Sequence, residues 1–156
     1  MEKVIILVLS ILCFACNANA SIERSKKALA YLNCPDHQIE HIANVLSKIP
    51  NKDPVLIVTI MSTEESTFNF NKVHSDGKHF SLMGTKTKPK NVTQAIRDGC
   101  EDLQQKIKLA NGDLGLALTW YKGSKRKYDR RGKPTRGYIQ AREVMMLYKQ
   151  VKKNIG

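Results

Sequence analysis

The stretch DPVLIVTIMSTEES, residues 53–66, decides how this sequence folds. Asp53 and Pro54 mark a helix start, because aspartate caps helix N-termini well and proline fits the first helical position. The apolar run that follows extends to Met61 and is rich in β-branched residues, which are also typical of a buried strand. The Asp-Pro start favours the helix. Two adjacent glutamates then stand where this apolar segment stops.

Helical patterns continue on both sides of this stretch. Ser21 and Asp113 are candidate N-caps of further helices, and the last helix is expected to turn Ile139 inward. Residues 69–91 contain two glycines, a proline and five lysines, and they predict an irregular loop or hairpin region. The sequence therefore predicts a mostly α fold, a single domain of about six helices. The predicted helical segments are 21–33, 35–49, 53–66, 91–112, 113–123 and 137–154.

The first part of the chain, residues 1–20, indicates an export signal rather than a part of the fold. A lysine at position 3 precedes a short apolar run, and the small residues at 18 and 20 fit a signal-peptidase site. We expect cleavage after Ala20, a mature domain of residues 21–156 without a transmembrane span, and a location in the periplasm or cell envelope. Lipoprotein processing at Cys16 and an uncleaved helical anchor are less favoured alternatives.

The mature chain keeps two cysteines, Cys34 and Cys100. In an oxidising, exported setting a pair of cysteines suggests one disulfide. Two separately buried thiols are the alternative that the sequence leaves open.

Four short motifs follow one another from residue 64 into the last predicted helix: EESTFNFN, SLMG, LALTWYKGS and PTRGYIQAREVMMLY. In this order and at this spacing they resemble the motifs of the soluble lytic transglycosylase family. The resemblance implies a lysozyme-like domain. The matching residues are Glu65, Ser66, Phe68, Asn69, Leu82, Met83, Leu116, Ala117, Leu118, Tyr121, Thr135 and Tyr138.

The resemblance also implies an activity, which is cleavage of the β-1,4 bond between N-acetylmuramic acid and N-acetylglucosamine in peptidoglycan. Such cleavage needs an acid that protonates the leaving oxygen, and an apolar surround helps a carboxyl group keep its proton. Glu65 would be this acid. It would then act as the base toward the 6-hydroxyl of the same sugar, which closes to a 1,6-anhydro product. The implied reaction uses neither a metal nor an organic cofactor.

Periodicity alone does not decide between the two glutamates, because both follow apolar residues at helical spacing. The Ser-x-Phe-Asn sequence after Glu65 matches the family pattern, so this residue is the expected acid. Glu64 is then expected to be a solvated surface charge.

The same resemblance implies four substrate-binding residues. Ser66 would orient the acid or the substrate, and Met83 would pack against a sugar ring. Tyr121 and Tyr138 would reach into the groove with their hydroxyl groups. The alternatives are a local backbone hydrogen bond for the serine and core packing for the other three.

The chain also departs from the family pattern. Gly84 stands where the family has glutamine, Ser81 where it has glycine, and Lys122 where it has asparagine. These departures remove two polar groups expected to line the groove, and they leave the acid itself in place.

The formal net charge of +12 favours polyanionic partners. The basic loop, YKGSKRKYDRRGKPTR at residues 121–136, carries eight Lys or Arg and one Asp. We expect it to border the groove and to attract the stem-peptide carboxylates of peptidoglycan glycan strands, although a solvated mobile loop is the alternative. Nucleic acid is not an expected partner, because the leader indicates export and the loop lacks interleaved aromatic residues.

Other functions compete with transglycosylation. A hydrolase would use Asp76 as its second carboxylate, and an eroded, non-catalytic wall-binding protein would use no acid. Exported members of the family commonly serve secretion, conjugation or phage-entry machines, so such a machine is the implied partner. His37 and His41 are four residues apart on a predicted helix, but surface histidines are favoured over a zinc site because no third ligand is near.

Overall fold

The computed structural model of the chain describes residues 19–50 and 53–156. Six helices and no strand lie in these ranges, so the predicted mostly α fold is confirmed. The predicted leader lies outside the described residues, apart from its last two. The helices are α1 (19–31), α2 (Asp36–Ser47), α3 (Pro54–Glu64), α4 (Val92–Leu109), α5 (Leu114–Tyr121) and α6 (Arg136–Ile155).

The central helix of the domain is α3. Its start is the predicted one, since the side chain of Asp53 accepts a hydrogen bond from the backbone N–H of Val55 at 3.0 Å. Every residue from Val55 to Met61 is buried, as expected for a helix that is apolar on all sides and enclosed by others. Tyr148 of α6 donates a hydrogen bond to the Asp53 carboxylate. Burial, this bond and the Asp53 charge raise the pKa of Tyr148 to about 12.

The helices from α2 to α6 pack in a series that runs from α3 to α2. α3 packs against α6, α5 packs against both α4 and α6, and α2 packs against α4. Asn91 caps α4, and Asp113 caps α5 by accepting the backbone N–H of Leu116 at 2.9 Å. α4 ends at the predicted Asn111-Gly112 turn, where both residues have positive φ angles. None of the described helices is both long enough and apolar enough to cross a bilayer.

Two local predictions are wrong. Ser21 does not cap α1, because residues 19 and 20 are already helical. Ile139 is 45% exposed. It precedes the buried Ala141 by two positions, which places the two side chains on nearly opposite sides of α6.

No disulfide joins Cys34 and Cys100 in the described part of the chain. Both side chains are buried in the apolar core, which corresponds to the alternative that the sequence left open. Burial, together with the nearby charge of Asp36, raises the pKa of the Cys34 thiol to about 11.

Candidate functional site

The C-terminal end of α3 carries the two adjacent glutamates. Glu64 is the last residue of the helix, and Glu65 is the C-cap, whose backbone N–H donates to the carbonyl oxygen of Met61 at 2.8 Å. The backbone of Glu65 is extended, with φ −145° and ψ 93°. Successive helical residues already point about 100° apart, and this change of backbone separates the two carboxylates further.

The carboxylate of Glu65 is buried and held by the turn that follows it. The side chain is only 7% exposed. Its Oε1 accepts hydrogen bonds from the backbone N–H of Thr67, at 3.1 Å, and from the Thr67 hydroxyl. Its Oε2 lies 4.0 Å from Nζ of Lys72 and accepts no hydrogen bond from any described residue. One oxygen is therefore held by Thr67, and the other lies near the amine of Lys72.

Glu64 is not the solvated surface charge that the sequence predicted. Its Oε1 pairs with Nζ of Lys122 at 2.5 Å, and the two side chains are 17% and 7% exposed. The same amine donates to the hydroxyl of Thr63 at 3.2 Å. A carboxylate removed from water needs an opposite charge, and Lys122 supplies it from the end of α5.

Two departures from the family pattern meet at this carboxylate. A Cβ atom at Gly84 would lie 2.7 Å from Oε2 of Glu64, so the glycine leaves the room that the carboxylate occupies. Lys122 provides its counter-charge. Glutamine at the first position would crowd the carboxylate, and asparagine at the second would leave its charge unpaired.

Tyr121 ties α5 to the segment that contains Met83. Its hydroxyl donates to the carbonyl oxygen of Met83 at 2.5 Å, and burial and the charge of Glu64 raise the Tyr121 pKa well above its usual value. Met83 is fully buried and packs on Gly99 of α4, where a Cβ atom would clash with it. The methionine therefore has no exposed surface to offer a sugar ring, and the tyrosine hydroxyl is occupied by the backbone.

The other two predicted substrate-binding residues lie in different surroundings. Ser66 is exposed, in the turn after α3. Tyr138 lies in the first turn of α6 and packs against Tyr128 of the basic loop, with ring centroids 5.2 Å apart. Thr135, which belongs to the same motif, is the N-cap of α6 and accepts the backbone N–H of Tyr138 at 3.3 Å. The helix cap thus accounts for the threonine of this motif but not for the tyrosine, since the cap uses only the backbone N–H of residue 138.

Unusual backbone conformations flank the carboxylate pair. Phe68 and Ser81 have φ angles of 54° and 64°, a region that costs L-residues energy and that often occurs at functional sites. Ser81 is fully buried, and its hydroxyl has no hydrogen-bond partner among the described residues. This serine stands where the family that the sequence resembles has glycine, and its backbone conformation is one that suits glycine.

Sequence reasoning missed Thr67 and Lys72, the two residues that contact the Glu65 carboxylate. Thr67 could have been found, since it lies two residues after the C-cap Glu65, and a hydroxyl at that position is close enough to donate a hydrogen bond to the Glu65 side chain. Lys72 carried no such signal, because the turn that brings it near is irregular. Lys122 was identified from the sequence as a departure from the family pattern, but its ion pair with Glu64 was not predicted.

Asp76, the carboxylate that a hydrolase would require, belongs to a local turn. It accepts the backbone N–H groups of Lys78 and His79 and lies 2.5 Å from Nδ1 of His79. These backbone hydrogen bonds and the bond to the histidine lower the pKa of Asp76 to about 2.

A separate cavity of about 150 Å³ lies between α2 and α4, and its lining includes His41, Lys48 and Arg97 but none of the predicted site residues. Across residues 19–50 and 53–156, no group of three or more His, Cys, Asp or Glu side chains is placed to hold a metal ion. No family model, curated protein or solved structure matches the chain.

Proposed function

We propose that the chain is an exported peptidoglycan lytic transglycosylase with Glu65 as its acid and then its base. One observation carries the proposal. Residues 81–84 and 121–122 are separated from α3 in the sequence, yet they meet at its C-terminal end, where Gly84 and Lys122 lie against the carboxylate of Glu64, the residue next to Glu65. These segments and the two glutamates belong to three of the four motifs on which the resemblance to soluble lytic transglycosylases rests.

The proposed reaction uses the two oxygens of Glu65 differently. Thr67 holds Oε1, which orients Oε2. A proton on Oε2 passes to the glycosidic oxygen as the bond to the anomeric carbon breaks, and the bonding electrons leave with that oxygen. The Glu65 carboxylate then takes the proton of the sugar's 6-hydroxyl, and the oxygen of that hydroxyl attacks the anomeric carbon. The acid is thereby restored, and no water is consumed.

The surroundings of the other carboxylates favour this one-carboxylate reaction over hydrolysis. Glu64 is neutralised by Lys122, and Asp76 is occupied by its own turn. A hydrolase needs a second carboxylate that can activate water or stabilise the charged intermediate. Neither residue is placed for that task.

Only 7% of the Glu65 side chain is exposed, and Lys72, from the loop at residues 69–91, lies 4.0 Å from its carboxylate. A depression of about 10 Å³ is lined by Phe70, Lys72, Phe80 and Pro89, among others, but not by Glu65 itself. This is room for roughly one water molecule. The proposal therefore includes displacement of this loop when a glycan strand binds.

Digestion of purified sacculi, followed by mass spectrometry of the released muropeptides, tests the proposal. The wild-type chain should release 1,6-anhydro products. Glu65→Gln should lower the rate by about 10²- to 10⁴-fold, the usual contribution of general acid–base catalysis. Asp76→Asn is the matched control and should keep the rate, whereas a hydrolase that uses Asp76 would lose it. Reducing-end muramic acid in the products would contradict the proposal.

Glu64→Gln separates the two glutamates in the same assay. This substitution should lower the stability of the fold more than the rate of the chemical step, because the Glu64 carboxylate is paired with Lys122. If Glu64→Gln abolished cleavage and Glu65→Gln retained it, the acid would be Glu64 and not Glu65.

A non-catalytic wall-binding protein is the second candidate. It is favoured by the full burial of Met83, which leaves that side chain no surface to offer a sugar, and by the use of the Tyr121 hydroxyl within the fold. Such a protein would sediment with sacculi, release no muropeptides and be unaffected by Glu65→Gln.

A further inference from the structure

The basic loop is held in place by both of the helices that it connects. The indole N–H of Trp120 in α5 donates to the carbonyl oxygen of Lys125 at 2.9 Å. On the other side, the backbone N–H of Gly137 in α6 donates to the hydroxyl of Ser124 at 2.9 Å, and Thr135, the N-cap of α6, donates its hydroxyl to the carbonyl oxygen of Arg126 at 2.7 Å. The loop therefore has a defined backbone, which differs from the solvated mobile loop considered as an alternative.

The interior of the basic loop is also hydrogen-bonded. Oδ1 of Asp129 accepts the backbone N–H groups of Arg131 and Lys133, at 2.8 and 2.9 Å. Tyr128 and Pro134 form an antiparallel bridge across the turn. The loop's single acid is thus used to shape the turn.

Most of the loop's cations have no acid partner. The eight cations and one acid contribute +7 of the net charge of +12. Lys122 pairs with Glu64, and Lys127 pairs with Asp113 at 2.7 Å. The other six are exposed and form no ion pair with any described residue: Lys125, Arg126, Arg130, Arg131, Lys133 and Arg136.

An aromatic residue, Tyr128, is interleaved with these cations, contrary to the expectation from the sequence, and Ile139 of α6 adds exposed apolar surface. Tyr128 is 50% exposed and Ile139 is 45% exposed. Tyr138 packs against Tyr128 at an interplanar angle of 60°, and the amine of Lys127 lies 6.0 Å from the centre of the Tyr138 ring. A ligand could therefore contact positive charge and an apolar face together.

We propose that this surface, made of the six unpaired cations with Tyr128 and Ile139, binds the stem-peptide carboxylates of a peptidoglycan strand. The inference rests on the proposed function and names the part of the substrate that this region holds. Arginine guanidinium groups bind carboxylates through two parallel hydrogen bonds. The peptide's apolar side chains would rest on the exposed tyrosine and isoleucine. A preformed loop also loses little conformational entropy on binding.

The position of the loop is consistent with this role. It begins beside Lys122, whose amine contacts Glu64 at the end of α3. A glycan strand bound at the proposed acid would therefore lie near the start of the loop, and the stem peptides would extend over it.

Co-sedimentation with intact sacculi tests the inference. The triple variant Arg130→Gln, Arg131→Gln, Lys133→Gln should bind about tenfold more weakly at low salt, as expected for three exposed ion pairs of about 0.5 kcal/mol each. The matched control removes the same charge from exposed positions outside the loop, as Lys48→Gln, Lys149→Gln, Lys153→Gln. It should bind nearly as well as the wild type. Equal binding by the wild type and the loop variant would overturn the inference.

Chemically modified sacculi identify the group that is bound. Sacculi whose carboxylates have been amidated with a carbodiimide and an amine should lose the same affinity for the wild-type chain, with no further loss for the loop variant. Full binding of the wild type to amidated sacculi would overturn the inference. Tighter binding of single-stranded DNA, or of vesicles rich in anionic lipid, than of sacculi at the same salt would also overturn it.

The same measurement separates this inference from the proposed activity. Glu65→Gln should bind sacculi as tightly as the wild type while releasing anhydro products about 10²- to 10⁴-fold more slowly. Loop-dependent binding without any release by the wild type would refute the transglycosylase and leave the carboxylate-binding surface.

Discussion

The end of α3 and the basic loop both concentrate charge, and they hold it in opposite ways. At the end of α3, each of the two largely buried carboxylates lies near a lysine, Lys122 or Lys72. In the basic loop, six cations are exposed and have no acid partner within the described part of the chain. Burial makes an unpaired charge costly, whereas water and salt screen an exposed one. Charge in the first region should therefore affect folding, and charge in the second should affect binding.

The largest expected effect on stability is from removing the partner of a buried charge. Lys122→Met would leave the Glu64 carboxylate unpaired at 17% exposure. We expect a loss of about 3 kcal/mol in the free energy of unfolding, measured by urea denaturation. The control is the double variant Glu64→Gln, Lys122→Met, which removes both charges and should recover most of the loss. A single variant as stable as the wild type would show that the pair is not buried.

The second effect concerns the space that Glu64 occupies. Gly84→Ala places a Cβ atom 2.7 Å from the carboxylate, at a φ of +59°. We expect a loss of about 2 kcal/mol, of which about 1 arises from the left-handed backbone alone. Gly77→Ala is the matched control, because it has φ +65° and no atom within 4 Å of the added carbon. Equal losses for the two variants would mean that Glu64 moves aside without cost.

The third effect has the opposite sign. Ser81→Gly should stabilise the fold by about 1 kcal/mol, because glycine tolerates φ 64° and removes a buried hydroxyl without a partner. Ser81→Ala removes the hydroxyl and keeps the Cβ atom, so it measures the two contributions separately. Thermal unfolding of the three proteins provides the comparison. A destabilised Ser81→Gly would indicate that the hydroxyl has a partner, such as a bound water molecule.

The smallest effect is expected in the basic loop. Arg130→Gln, Arg131→Gln should change the free energy of unfolding by less than about 0.5 kcal/mol, since exposed charges without partners contribute little. The same variant should weaken binding to sacculi. A loss of stability as large as that of Lys122→Met would remove the distinction between the two regions.

Much of the fold could be predicted because its signals are local. Asp53, Asn91 and Asp113 each precede a helix, and each accepts a backbone N–H within three residues. Such caps involve only neighbouring residues, so the sequence alone can indicate them. Ser21 was the exception, since it has the right chemistry for a cap but lies inside α1.

The candidate site could be predicted only in part. The motif order placed Glu65 at the end of a buried helix, and that position is observed. The burial of Met83 could not be inferred, because it depends on Gly99 of α4 lying against it. The partner of the Tyr121 hydroxyl could not be inferred either, because the backbone carbonyl that accepts its hydrogen bond lies 38 residues earlier in the sequence.

The sequence by itself determined the helices, most of their ends and the concentration of positive charge in one loop, because each of these depends on adjacent residues or on composition. Only the tertiary structure decided how the neighbouring glutamates differ. Glu64 is paired with a lysine 58 positions away, while Glu65 turns back toward Thr67. No local pattern could specify the first contact, because it exists only where α3, α5 and the segment around Gly84 are packed together.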